Sequence, residues 1–345
     1  MKPFTTKDWQ NHKPALMAGM GLAVITLQSV IAPNLALTIT DGLVKIDGSS
    51  TVYPIAKASA KDFTTSNPSA KIEVNFSGTS GGFKKFCAGK TDISNASRPI
   101  NLEEMAACKK AGISYYELPI DYDALTVVVN PKNTWAKDIT VAELKKIWEP
   151  SAEGKIKRWN QIRPEYPNQP INLFGPGKES GTFDYFNSAI NGNSKATRKD
   201  VTTSEDDDVL VKGVSKDANS LGYFGFAYYE ANTKTLKALA IDSGKGAILP
   251  SRQAVEKARY QPLSRPLFIY VSAKSIRKPE VKSFVNFYLK NASESVAKIG
   301  FIPLPQKGYE LAQARIYLGR VGTVFAGKEA LNLTITQLLG KELTF

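Results

Sequence analysis

Three short segments place small hydroxyl residues and glycine where a helical pattern begins. They are Gly48-Ser49-Ser50-Thr51-Val52, Gly78-Thr79-Ser80-Gly81-Gly82 and Ser180-Gly181-Thr182. A helix start leaves backbone N–H groups unpaired and carries about half a positive charge. Glycine allows close approach of the backbone, and hydroxyls can donate or accept. Three such turns brought together would make a cage for a tetrahedral oxyanion. Each one alone is also an ordinary Ser or Thr helix cap, so the expectation rests on their combination. Other chemistries are poorly supplied. The single histidine, His12, lies in an N-terminal leader, so the rest of the chain cannot build Ser-His-Asp or Cys-His catalysis. Two cysteines alone cannot hold zinc. The Gly-x-x-x-x-Gly-Lys-Ser/Thr loop of nucleotide hydrolases is absent. No metal and no cofactor is expected.

The surrounding pattern alternates strand, polar turn and helix. Val44 to Ile46 reads as a strand, and Pro54 sits in the first turn of the helix that follows. Lys71 to Phe76 alternates as a strand and leads to the second turn. Ile93 lies in a third strand before Ser94-Asn95-Ala96-Ser97-Arg98, and Leu102 to Ala111 is helical. Leu125 to Val129 is apolar throughout, as in a strand buried on both faces. A second unit repeats the scheme. Val141 to Trp148 is a helix, Pro170 to Phe174 is a strand before the third turn, and Ser204 to Asp207 opens a helix as a capping box. Gly222 to Tyr229 reads as an aromatic strand and Pro266 to Val271 as a returning strand. Helices follow around Val281 to Leu289 and Leu331 to Leu339. The alternation predicts an α/β fold with mostly parallel sheets flanked by helices. Ligands in such folds bind beyond the carboxyl ends of the strands, which is where the polar turns fall.

The first 36 residues read as a secretory signal: a basic start, then an apolar run from Ala15 to Ala32 broken by Thr26, Gln28 and Ser29. The alternative is a single anchor helix. No cysteine ends the run, so no lipid-modified cysteine is expected and the chain is read as exported and periplasmic. Cys87 and Cys108 are either a disulfide or two separate buried thiols. The formal charge is +13, which favours encounter with anions. The basic residues are scattered, and the aromatics of Tyr223 to Tyr229 read as core, so nucleic-acid binding is not expected.

Four motifs in order carry a resemblance: Asp47-Gly48-Ser49-Ser50-Thr51-Val52-Tyr53-Pro54, Gly78-Thr79-Ser80-Gly81-Gly82, Ser94-Asn95-Ala96-Ser97-Arg98-Pro99 and Glu179-Ser180-Gly181-Thr182. Over residues 43 to 310 the chain resembles the PstS family, the phosphate-binding proteins of ABC-type phosphate uptake. The resemblance implies a two-lobed periplasmic-binding-protein fold of type II with the ligand cleft at the hinge. It implies a first lobe over 41–130, a second over 131–261, and a return to the first lobe over 262–345. Leu125–Val129 and Pro266–Val271 would be the hinge strands. Inorganic phosphate would be held by Ser50, Thr51, Val52, Thr79, Ser80, Ser97, Arg98, Ser180, Gly181 and Thr182. The partner would be a membrane-embedded ABC transporter permease, the protein would be a monomer, and no reaction would be catalysed.

Two positions depart from the family pattern. Ser97 stands where many members carry an Asp that accepts the proton of hydrogen phosphate. Pro176 stands where they carry an Arg, and Arg98 is expected to supply the cation instead, as a planar fork. Glu179, or an acid in Glu205-Asp206-Asp207-Asp208, could replace the missing carboxylate, although the latter run reads as a solvated helix start. The competing readings are a binding protein for sulfate, molybdate or a phosphonate, and a phosphatase-like enzyme.

Overall fold

The computed structural model describes residues 42–344; the leader read over residues 1–36 lies outside them. The chain opens with β1 (Leu43–Gly48), α1 (Tyr53–Ser66), β2 (Lys71–Val74), α2 (Gly78–Cys87), β3 (Ile93–Ala96) and α3 (Leu102–Lys110). The long strand β4 (Tyr115–Val129) follows, then β5 (Asp138–Thr140), α4 (Val141–Trp148), β6 (Asn172–Pro176), α5 (Gly181–Asn191), β7 (Thr202–Ser204), α6 (Asp207–Lys216), β8 (Ser220–Gly225) and α7 (Phe226–Glu230). After β9 (Lys237–Ala238), β10 (Ala240–Asp242), β11 (Ala247–Ile248) and α8 (Arg252–Glu256) come β12 (Ser264–Ser272), α9 (Pro279–Ile299), β13 (Ile302–Pro303), α10 (Gln306–Tyr317) and α11 (Ile335–Thr344).

The main sheet runs β2-β1-β3-β12-β4-β8-β6-β7. Each end is parallel: β1 pairs β2 and β3, and β6 pairs β7 and β8. Between them, β12 runs antiparallel to β3 and to the first part of β4. The second part of β4, Leu125 to Val129, runs antiparallel to β8. One strand, buried over its whole length, therefore threads both halves of the sheet. Its buried backbone groups need protein partners; besides strand neighbours, the Tyr260 and Tyr309 hydroxyls donate to the Leu125 and Ile120 carbonyls.

The helices cover the sheet for local and tertiary reasons. Capping boxes start α3 (Asn101 with Glu104) and α4 (Thr140 with Glu143). Phe63 of α1 packs edge-on against Phe284 and Phe287 of α9. In the second half, Phe186 and Tyr223 are stacked and Trp148 meets both edge-on. Burying each such side chain contributes about 1.5–3 kcal/mol. Cys87 and Cys108 are joined as a disulfide, which ties the end of α2 to α3.

Several elements differ from the sequence expectation. The stretch Gly222 to Tyr229 is not one strand: the chain leaves β8 at Gly225 and enters α7. The Phe226 N–H that would have continued the ladder donates to Asp123 Oδ1 at 3.1 Å. The last helix starts at Ile335, not Leu331, because the Leu333 carbonyl accepts from Tyr122 Oη at 2.6 Å and Thr334 caps Gln337. No capping box forms at Ser204: α6 is capped by Asp206, whose carboxylate accepts from Asp208 N.

Candidate anion-binding site

The first turn is bent by Gly48, whose φ of +138° and tight approach to the Asn95 backbone exclude a side chain. This sets Thr51 and Val52, both buried, at the start of α1. The second turn begins α2, where Ser77 makes no side-chain cap and Thr79 is fully buried. Thr79 Oγ1 lies 3.1 Å from Ser97 Oγ and accepts from Ser97 N at 3.1 Å. The third turn begins α5. There Ser180 Oγ caps the helix by accepting from Thr182 N at 3.1 Å.

The three turns meet. Thr51 Oγ1 and Thr182 Oγ1, 131 positions apart in sequence, are 3.0 Å apart. A Cβ placed on Gly181 would stand 2.5 Å from Thr79 Oγ1 and 2.6 Å from Ser97 Oγ. Thr51, Thr79, Ser97, Gly181 and Thr182 thus share one buried cluster, with Val52 and Ser180 beside it. The Ser50 hydroxyl is turned the other way, towards Asp207, and its carbonyl accepts from Tyr228 Oη at 3.0 Å.

The expected role of Arg98 is not what the structure contains. Its Nε donates to Asp184 Oδ2 at 2.7 Å. Its terminal nitrogens donate to both Glu104 oxygens at 2.8 Å, to the Pro99 carbonyl at 3.0 Å and to Ser80 Oγ at 2.8 Å. A guanidinium has five N–H groups, and these five contacts use them all. The flanking carboxylates hold its pKa well above the usual value, although burial opposes this. Arg98 therefore offers nothing to an anion. Ser80 goes with it: its hydroxyl accepts from Arg98 and its N–H donates to the Glu179 carbonyl at 2.8 Å. Glu179 itself sits on the rim, paired with Lys84 at 2.7 Å.

The cation at the cluster is Arg265, on β12 and fully buried. Its Nη2 donates to Thr182 Oγ1 at 2.7 Å and to Asp123 Oδ2 at 3.0 Å, and its Nη1 donates to the Gly181 carbonyl at 3.1 Å. Its Nε is buried without a protein partner. The guanidinium also lies over the Tyr185 ring, 5.5 Å from its centre. Asp123, on β4 and equally buried, accepts from Arg265 and from Phe226 N. Two of a carboxylate's four lone-pair sites remain after these bonds. Sequence reading missed both residues. The available signal was that Asp123 and Arg265 stand just before the strands read at Leu125 to Val129 and Pro266 to Val271, where a charge drawn into the sheet must be paired.

Asp207 also departs from expectation. It is not a solvated helix-start acid: it is 3% exposed, and burial pushes its pKa up to about 7 against the opposing effects of Ser50 and Arg265. The arrangement can hold a small anion through hydroxyls from three turns, helix starts from both halves of the sheet and one buried guanidinium.

The domain profile of the PBP superfamily matches residues 36–292. The protein SphX of Synechocystis sp. is 56% identical over 307 residues, spanning 89% of this chain and 91% of that one. The phosphate-binding protein PstS of Staphylococcus saprophyticus is 36% identical over 281 residues, spanning 80% of this chain and 85% of that one. Among solved structures, a candidate phosphate ABC transporter substrate-binding protein from Clostridium perfringens, with phosphate bound, superposes with a TM-score of 0.65. It is 28% identical and covers 76% of this chain and 100% of its own.

Proposed function

The chain belongs to the PBP superfamily, within it to the PstS-type phosphate-binding proteins, and on that premise we propose that it captures inorganic phosphate and delivers it to an ABC transporter. The observation that carries the reading is the buried Arg265–Asp123 pair set against the hydroxyls of Thr51, Thr79, Ser97 and Thr182. Arg265 supplies the charge-assisted donor that Arg98 does not. Asp123 supplies the acceptor for the proton of hydrogen phosphate, the role that Ser97 fills less decisively. Sulfate carries no such proton and would set a bare oxygen against a buried carboxylate oxygen with no donor between them, which costs several kcal/mol.

In this reading lobe I comprises residues 41–130 and 262–345, lobe II residues 131–261, and β4 and β12 form the hinge. The cycle has no chemical step. The anion bridges donors on both lobes and favours closure because it binds the closed form better. Contacts of the closed form are Thr51–Thr182, Ser80 N to the Glu179 carbonyl, and the buried Arg98–Asp184 ion pair. Arg98 then acts as a latch between lobes. The protein works as an exported monomer with its leader, Met1 to Ala36, directing export.

Calorimetric titration with phosphate and with sulfate tests the assignment. The wild type is expected to bind phosphate in the presence of excess sulfate. Asp123→Asn is expected to lose at least about tenfold in phosphate affinity and to narrow the margin over sulfate. Equal binding of the two anions by the wild type would make it a general oxyanion receptor, and no heat with either would overturn the phosphate reading.

A further inference from the structure

Asp207 opens α6 from the second half of the sheet, yet it faces groups of the first half. The Ser50 hydroxyl from the β1–α1 turn favours its charged form. Asp123 of β4 and Arg265 of β12 act on it through their charges, as does its neighbour Asp206. Its charge acts on Tyr228 of α7, which donates its hydroxyl to the Ser50 carbonyl. Its Oδ2 is buried and has no partner. An acidic helix start would not by itself mean anything. This one is 3% exposed, carries an unused oxygen, and is packed behind the Ser50-Thr51 turn that lines the anion cluster.

The charges decide what that oxygen can do. Arg98 is neutralised by Glu104 and Asp184, so Arg265 is the cation that serves the cluster. Asp123 already opposes it at 3.0 Å. An entering phosphate adds one or two negative charges where Asp123 and Asp207 would contribute two more. In a water-poor site, like charges at such range are strongly unfavourable. One acid has to take a proton. Asp123 is paired with Arg265 and accepts from the Phe226 N–H, whereas Asp207 keeps a buried oxygen without a partner.

We propose that Asp207 is a proton-carrying specificity residue of this site: phosphate is bound with the Asp207 carboxyl protonated, so that capture near neutral pH draws a proton from solvent onto Oδ2 and release returns it. The proposal rests on the phosphate reading above. Burial places the Asp207 pKa at about 7 before any anion arrives, so the residue is poised to change state in the working range. Added negative charge raises the pKa further. Affinity is therefore highest below neutrality and falls as pH rises, over and above the titration of phosphate itself.

The test is calorimetric titration of the full chain with inorganic phosphate at pH 7, in two buffers of different ionisation heat, comparing wild type with Asp207→Asn. The wild type is expected to take up roughly half a proton more per phosphate than the variant. Equal uptake in both overturns the proposal while leaving the phosphate reading intact. No heat in the wild type overturns the phosphate reading itself. Should Asp207→Asn fail to fold, Ser50→Ala removes the hydroxyl that favours the ionised acid. The pH at which uptake is centred must then move upward, and an unchanged centre overturns the proposal.

Discussion

Arg98 and Arg265 are both fully buried and both face carboxylates, but their surroundings give them opposite parts. Arg98 has no donor left, so removing it leaves the buried Asp184 with only the exposed Lys195 and takes the cation from the partly buried Glu104. We expect Arg98→Ala to cost about 3–5 kcal/mol of stability in urea unfolding, with phosphate affinity lowered through weaker closure. Arg265→Lys keeps the charge and loses the fork. Its expected cost is about 2–5 kcal/mol of phosphate binding, roughly thirtyfold or more by calorimetry. Asp121 supplies a third residue-scale prediction. Both of its oxygens are buried without partners, and burial, with Asp123 nearby, raises its pKa well above the ordinary value. The native chain then holds a proton that the unfolded chain loses as pH rises through the ordinary aspartate range. Stability contributed by the neutral form drains from there up to the raised pKa. Asp121→Asn removes this loss, so its advantage over the wild type should grow between pH 4 and pH 8; an identical pH dependence would refute the assignment.

At the scale of elements, the site depends on the starts of α1, α2 and α5 arriving together. Gly181 is a tight point between them, because any side chain there meets Thr79 and Ser97. Gly181→Ala is expected to fold, since the φ of Gly181 is not in the left-handed region, and to lose phosphate affinity because α5 can no longer close on α2. Wild-type affinity in this variant would show that the turns need not meet. The disulfide acts one step back. Its loop of 21 residues suggests about 3 kcal/mol of stabilisation. Replacing both cysteines with serine should lower Tm and loosen α2 without abolishing binding.

For the whole molecule, the β4 strand makes two parallel sheet ends into one continuous sheet, with the site at their junction. The full chain carries a formal charge of +13, while the site's own carboxylates oppose an incoming anion. The surface therefore favours encounter while the buried donors hold the ligand. The association rate for phosphate should fall with added salt, since exposed charges more than about 8 Å apart are screened at physiological ionic strength. The dissociation rate, set by buried contacts, should change little.

Residues that act through their own local backbone were legible in sequence. Thr51, Thr79, Gly181 and Thr182 announce themselves because Gly and a hydroxyl at a helix start already constitute donor geometry, whatever the rest of the chain does. The strand-turn-helix alternation, and with it the α/β class, was legible for the same reason. Asp123 and Arg265 were not, because their pairing spans 142 positions and exists only where β4 and β12 lie side by side. Arg98 was misread because its neighbours in sequence say nothing of Asp184, 86 positions away. Asp207 sits among acids that look solvated, and only the packing of α6 against the first turn takes it out of water. Local sequence determined which turns could grip an anion. The tertiary structure decided which charges stand behind them, because the burial and pairing of a charge are properties of what the fold brings to it.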